Sequence, residues 1–392
     1  MNKKMYELGS KRSVIRELFE YGKEYAEVHG KDSVFDFTIG NPNIPAPHTV
    51  NDLIKQAVDN PDIHLYTSAE GDKEVRKKIS AYIKKEFNAD MPVQNIYMTT
   101  GAAAALSIVF KALVDEERNE FIVFAPYFPE YKVFVEAAGG VLNVQRAAEN
   151  FGFNLEGLEE LITPRTVGVI INSPSNPTGR IYSKEELSHL FEVIAKRSTK
   201  EKPIYVIADE PYRELVYDDT EVPYIPNLYD NSIVCYSWSK SLSLAGERIG
   251  YIAVSPKAQN DRELFLTICG AGRALGYVCA SSLFQYVVSE SLGLTADIEI
   301  YKHNRDRLYG ALKEYGFTLI EPKGAFYIFM KSPLPNDDFM KIAKSLGILF
   351  VPSETFGVDN WVRIAYCVSP DVIERSLPHF KKLAEICGLK KE

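Results

Sequence analysis

Residues 237–250, SWSKSLSLAGERIG, set one lysine among hydroxyls and glycine, with an arginine eight positions beyond it. Lys240 follows directly on the apolar run at 232–238, SIVCYSW, which reads as a buried strand. Its amine is therefore expected at the carboxyl end of a sheet, where open α/β sheets bind their ligands. A lysine partly desolvated there, beside another cation, loses proton affinity and becomes a nucleophile toward an aldehyde. Ser237, Ser239 and Arg248 are the donors that a phosphate group requires nearby.

Working outward, short apolar runs alternate with amphipathic helical stretches: NIYMTT then GAAAALSIVFKALV, FIVFAP then EYKVFVEAAGG, VGVIIN then KEELSHLFEVIAKRS, and IYVIAD. That alternation predicts a mostly parallel sheet covered by helices on both faces. Beyond about Ser289 the pattern changes to a long helical run, short strands around GAFYIFM and WVRIAY, and a terminal helix, an α+β arrangement. The Pro-rich stretch at 41–47, NPNIPAP, marks an early linker. The expected organisation is an N-terminal arm over 1–45 that contributes to the smaller domain, a large α/β domain over 46–288 and a small domain over 289–392.

Polar groups stand at successive predicted strand ends. At 100–104, TGAAA turns a strand into an alanine-rich helix whose free amides and dipole favour a phosphate. The next strand ends near Phe128, an aromatic able to stack on a flat heterocycle. The third runs into NSPSNPTG at 172–179, where prolines stiffen a loop presenting Asn172 and Asn176. The fourth ends at Asp209, a carboxylate that is costly to bury unless a cation faces it. An aldehyde, a phosphate and a protonated ring nitrogen occur together in pyridoxal 5'-phosphate (PLP), which is the cofactor expected here.

Residues 237–250 resemble, position by position, the lysine signature of the class I/II aminotransferases, which are PLP enzymes of fold type I, and NxPxNPTG at 172–179 is a second match. The resemblance spans residues 40–363 and is to the aspartate-aminotransferase-like members. It implies that Lys240 carries the cofactor and then moves a proton at the substrate's α carbon. It also implies that Gly101, Ala102, Ala103, Ser237, Ser239 and Arg248 hold the phosphate, Phe128 stacks on the ring, Asn176 and Tyr212 bond its phenolic oxygen, and Asp209 faces its nitrogen. Arg363, with Gly40 and Asn172 close by, matches the site of the substrate's α-carboxylate. Tyr66 resembles a tyrosine that reaches the phosphate of a neighbouring subunit, which implies a homodimer with shared sites. Arg273 resembles the arginine by which some aspartate aminotransferases, from the partner subunit, hold a distal carboxylate.

The composition is that of a globular chain: 392 residues, 46% hydrophobic and 25% charged, with a net charge of −8. The acidic balance argues against nucleic-acid or anionic-membrane partners. With no secretory signal and no apolar run long enough to span a bilayer, a cytoplasmic location is expected. The five cysteines lack metal or redox spacing, and the six histidines are isolated, so no metal is expected. GAGRALG at 270–276 has Leu275 where a dinucleotide-binding motif needs its third glycine. The expected activity is transfer of an amino group from an amino acid, aspartate or another dicarboxylic donor, to a 2-oxo acid such as 2-oxoglutarate. The alternatives are a donor that is neutral or aromatic, a PLP carbon–sulfur lyase, and a non-catalytic PLP-binding module.

Overall fold

The computed structural model describes residues 1–10 and 14–390. Residues 11–13 of the expected arm and 391–392 of the expected small domain lie outside the described residues. The larger sheet comprises β1 (Ile96–Thr99), β2 (Glu120–Phe124), β3 (Val141–Gln145), β4 (Thr166–Asn172), β5 (Tyr205–Asp209), β6 (Ser232–Ser237) and β7 (Gly250–Val254). Their order is β1-β7-β6-β5-β4-β2-β3, and β7 alone runs against the others. Two of these strands escape the sequence reading. In β3 only Gln145 is buried and the other side chains are exposed or partly buried, as suits an edge, and β7 follows the lysine loop without a helix between.

Both faces of the sheet are buried, which is why its strands read as unbroken apolar runs. In β5, Val206 and Ala208 enter one core while Tyr205 and Ile207 enter the other; in β6, Val234 and Tyr236 oppose Ile233 and Cys235 in the same way. This period of two sets Asp209 and Ser237 on the face of Tyr205 and Cys235. The helix Ala102–Leu113 packs on that face through Ala105, Ile108, Val109 and Phe110. Helix Lys184–Arg197 covers the other face, started by a capping box between Ser183 and Glu186.

A second core surrounds an antiparallel sheet made of β8 (Leu319–Ile320), β9 (Tyr327–Lys331), β10 (Val351–Pro352) and β11 (Trp361–Ala365), in the order β10-β11-β9-β8. Phe35, Phe37 and Ile44 from the start of the chain are buried in it, as are Tyr212 and Leu215 from the loop after β5. Residues 35–36 pair in parallel with 348–349, and Phe37 accepts a backbone bond from Ala365. The early segment thus pairs with residues 348–349 and meets the end of β11 at Ala365. No helix among the described residues is long and apolar enough to cross a membrane.

Candidate active site

The carboxyl ends of β4, β5 and β6 open into a cavity of about 340 Å³. Thirteen of the residues singled out above line it: Gly40, Ala102, Ala103, Phe128, Asn172, Asn176, Asp209, Tyr212, Ser237, Ser239, Lys240, Arg248 and Arg363. Gly101 stands directly behind, at φ 86°, and a Cβ there would come within 2.8 Å of the Arg248 guanidinium. Glycine is needed at that position both for its backbone conformation and for this approach.

Lys240 projects from the turn after β6, and its Nζ donates to the Gly40 carbonyl at 2.7 Å. Burial lowers its pKa to about 8; Arg363 and Arg248 act in the same direction, while Cys367 opposes them. The partly desolvated amine among cations expected from the sequence is thus present. In the unfolded chain the amine keeps its ordinary pKa of 10.5. Between pH 8 and 10.5 the unfolded state binds more protons, so this group makes stability rise with pH across that window. Cofactor-free Lys240→Met protein should therefore be more stable than wild type by roughly 3 kcal/mol at pH 7, with the gap closing by about pH 10.5. Urea denaturation at both pH values checks this, and an equal gap at both refutes it.

Asp209 is 5% exposed. One oxygen, Oδ2, accepts a 2.6 Å bond from the hydroxyl of buried Tyr131, while Oδ1 is buried with no hydrogen-bond partner. Burial raises its pKa to about 7, against the Tyr131 bond, with Glu210 adding to the rise. A carboxylate oriented at one oxygen and unsatisfied at the other, on the wall of a cavity, is matched to a cationic N–H donor. Tyr131 escaped the sequence reading; it closes the run APYFPEY, and its partner lies 78 residues away.

At the other end of the cavity, helix Ala102–Leu113 begins at Gly101 without a side-chain cap, so its first amides are free. The Ser237 and Ser239 hydroxyls are 2.7 Å apart, and Arg248 Nη1 reaches the Ser239 hydroxyl at 3.4 Å and the Ala245 carbonyl at 2.9 Å. Free amides, two hydroxyls and a guanidinium form an anion cradle. Phe128 lines the span between, its ring edge-on to Tyr131 with centroids 5.5 Å apart.

Arg363, in the middle of β11, is 4% exposed and pairs with no acid among the described residues. Its Nη1 donates to Asn176 Oδ1 at 3.0 Å and its Nη2 to the Thr38 carbonyl at 2.6 Å, while Nε has no partner. Asn172 is tied into its own loop, donating to the Asp209 carbonyl at 2.9 Å and accepting from the Asn176 amide at 2.7 Å. Tyr327 is a second residue missed in the sequence. Its hydroxyl is 2.8 Å from that of Tyr212, and the Arg363 guanidinium sits 4.6 Å from its ring centroid. Only its place in the strand run GAFYIFM signalled it.

Two expected residues stand apart from this chain's cavity: Tyr66 is 88% exposed and Arg273 is exposed on helix Asp261–Ala274. That helix also disposes of GAGRALG as a dinucleotide loop, since Gly272 serves instead to let the helix pack against the Tyr97 hydroxyl. All five cysteines are free; Cys235 and Cys367 are buried and the other three only partly so. No group of three or more His, Cys, Asp or Glu suited to a metal occurs among the described residues.

Residues 32–380 match the model of the family described as aminotransferase class I and II. The chain is 31% identical over 386 residues to a probable aspartate aminotransferase of Methanocaldococcus jannaschii, covering 96% of this chain and 98% of that one. It is also 31% identical to a probable N-acetyl-LL-diaminopimelate aminotransferase of Bacillus subtilis, over 88% of each. A crystal structure of an amino transferase from Eubacterium rectale superposes with a TM-score of 0.96 at 50% identity, covering 98% of both chains. The chain belongs to the class I and II aminotransferases. It is a PLP-dependent transaminase of the α/β fold expected, and the cavity fits that cofactor. An unsatisfied buried carboxylate oxygen lies at one end, an anion cradle at the other, and a lysine of lowered basicity borders the same space.

Proposed function

We propose that this enzyme moves the amino group of a dicarboxylic amino acid, aspartate first among them, to a 2-oxo acid such as 2-oxoglutarate, as a homodimer with shared sites. PLP, when bound, supplies an electron sink for charge developing at the substrate's α carbon. Asp209 Oδ1 holds the proton on the ring nitrogen, with Tyr131 fixing the carboxylate from behind. Ala102, Ala103, Ser237, Ser239 and Arg248 hold the phosphate, with Gly101 giving Arg248 room. Phe128 covers the ring, and Tyr212 and Asn176 orient it. Lys240 Nζ takes the proton from the α carbon, a role that its lowered pKa favours.

The observation that carries the amino-acid substrate reading is Arg363, a buried guanidinium on the cavity wall that no acid among the described residues neutralises. Such a group is costly to bury unless an anion arrives, and its planar fork suits a carboxylate. Several relatives named aspartate aminotransferase support the dicarboxylic donor. For the distal carboxylate we assign Arg273 of the partner subunit, whose exposure in the single chain leaves it available to a neighbour. A charge-assisted contact of roughly 1.5–3 kcal/mol predicts that Arg273→Ala loses about 10- to 150-fold in reactivity toward aspartate. Alanine, lacking that carboxylate, should lose far less. A panel of amino acids followed through the cofactor's absorbance change measures both. Equal losses, or a wild-type enzyme indifferent to aspartate and glutamate, refute the assignment and favour a neutral or aromatic donor. Release of pyruvate and ammonia without a 2-oxo acid acceptor would instead indicate lyase chemistry.

Tyr66, with Leu65 beside it, projects unburied from the chain. If it completes the partner's site, mixing inactive Lys240→Ala protein with a Tyr66→Ala protein should restore activity through hybrid dimers. Mixed samples no more active than either parent, under conditions where mass spectrometry shows that subunits have exchanged, refute the shared site.

A further inference from the structure

We propose that a pocket at the opposite, amino-terminal ends of β4 and β5 is a second ligand site that takes a phosphate group. The pocket, of about 230 Å³, is lined by Arg118, Arg197 and Lys202 together with Thr163, Thr166 and Thr199, and no carboxylate is among its lining residues. Three cations with no carboxylate lining the pocket are unexpected in a chain whose net charge is −8; the acids at its margin are Glu159, 3.7 Å from Arg197, and Glu120, which accepts from the Thr163 hydroxyl at 2.6 Å.

Arg118 is the central observation. Its Nη2 donates to the carbonyls of Thr166 and Pro203, which open β4 and precede β5, but its Nε is buried with no hydrogen-bond partner. No carboxylate pairs with its guanidinium among the described residues, and burial pulls its pKa below the ordinary arginine range. Arg118 is half-buried, and a partly desolvated guanidinium without a close carboxylate is favoured by an anion in the adjoining pocket. Arg197 has only a 3.7 Å contact with Glu159, which Lys196 also engages at 3.2 Å. The Lys202 ammonium is exposed and pairs with no acid among the described residues.

The hydroxyls favour a phosphate. Thr199 Oγ1 accepts from the Lys202 amide at 3.0 Å, and Thr166 Oγ1 accepts from the Thr163 amide at 3.0 Å. Both hydroxyl protons are therefore left to donate, and three positive charges match a group carrying close to two negative ones. The site is separate from the cofactor's. Asn172 and Asp209 occupy the far ends of the same strands, roughly 13–20 Å away at about 3.3 Å per residue.

The test uses enzyme saturated with PLP, so that the cofactor's phosphate cradle is filled. Calorimetric titration with inorganic phosphate at low ionic strength should show saturable binding that persists in Arg363→Ala, which removes the substrate-side anion site. The double variant Arg197→Glu/Lys202→Glu should bind phosphate at least about tenfold more weakly while its half-reaction rates stay at wild-type values. Succinate at the same ionic strength should compete poorly. Absence of saturable phosphate binding, an unchanged affinity in the folded double variant, or succinate binding at this site as tightly as phosphate would each overturn the proposal.

Discussion

Replacing Lys240 with alanine is expected to lower transamination by on the order of 10⁴-fold, the upper end of the scale for a positioned proton-transfer group. The variant retains the cradle of Ser237, Ser239, Arg248 and the free amides of helix Ala102–Leu113, so it should still take up PLP, now without a covalent anchor. In wild type, borohydride reduction followed by peptide mapping should label Lys240 alone; in the variant no lysine should be labelled. The expectation rests on placement. Lys240 is the amine on the cavity wall, its pKa is lowered to about 8, and its Nζ is already oriented by the Gly40 carbonyl. A label on another lysine would remove the basis of the whole assignment.

Replacing Asp209 with alanine should leave labelling at Lys240 intact but slow turnover on the order of 10³-fold or more, equivalent to about 4 kcal/mol. Its Oδ1 is the unsatisfied acceptor to which a protonated ring nitrogen is complementary, and without it that nitrogen would lack the carboxylate proposed to keep it protonated. In the cofactor-free protein, burial raises the Asp209 pKa from 3.8 to about 7. A raised pKa contributes stability that is fully present below pH 3.8 and is lost as pH rises through 7, so the empty protein carries a penalty at this residue above neutrality. A bound cation opposes that penalty. Asp209→Asn, which keeps a hydrogen-bonding group toward Tyr131 but no charge, should be nearly as slow as alanine. Near-normal turnover in either folded variant would count against the role.

Much of the site was legible because strand ends are local. A buried parallel strand reads as an apolar run, so the polar residue that stops it, Asn172, Asp209 or Ser237, is visible where it stands. Groups whose role depends on a distant partner were not. Tyr131 looks like one more core aromatic until β5 brings Asp209 to it across 78 residues. Tyr327 likewise meets Tyr212 only across 115 residues. The edge strand β3 lacks an apolar run because one side of it has no neighbour. The burial of Phe35 and Phe37 against the C-terminal sheet is a long-range pairing that no local pattern encodes.

The stretch between Phe37 and Gly40 holds the site through main-chain oxygens: the Thr38 carbonyl takes a bond from Arg363 and the Gly40 carbonyl one from Lys240. Carbonyls survive side-chain exchange, so mutational tolerance along these few residues should be uneven in a usable way. Ile39, 45% exposed and on the cavity wall, is open to a library of substitutions that reshapes the entrance without unfastening either cation. Gly40 is closed to all of them, because any Cβ there collides with the Tyr327 hydroxyl. A one-residue insertion would move both tethers at once, making the length of this segment, more than its composition, the quantity that selection must preserve.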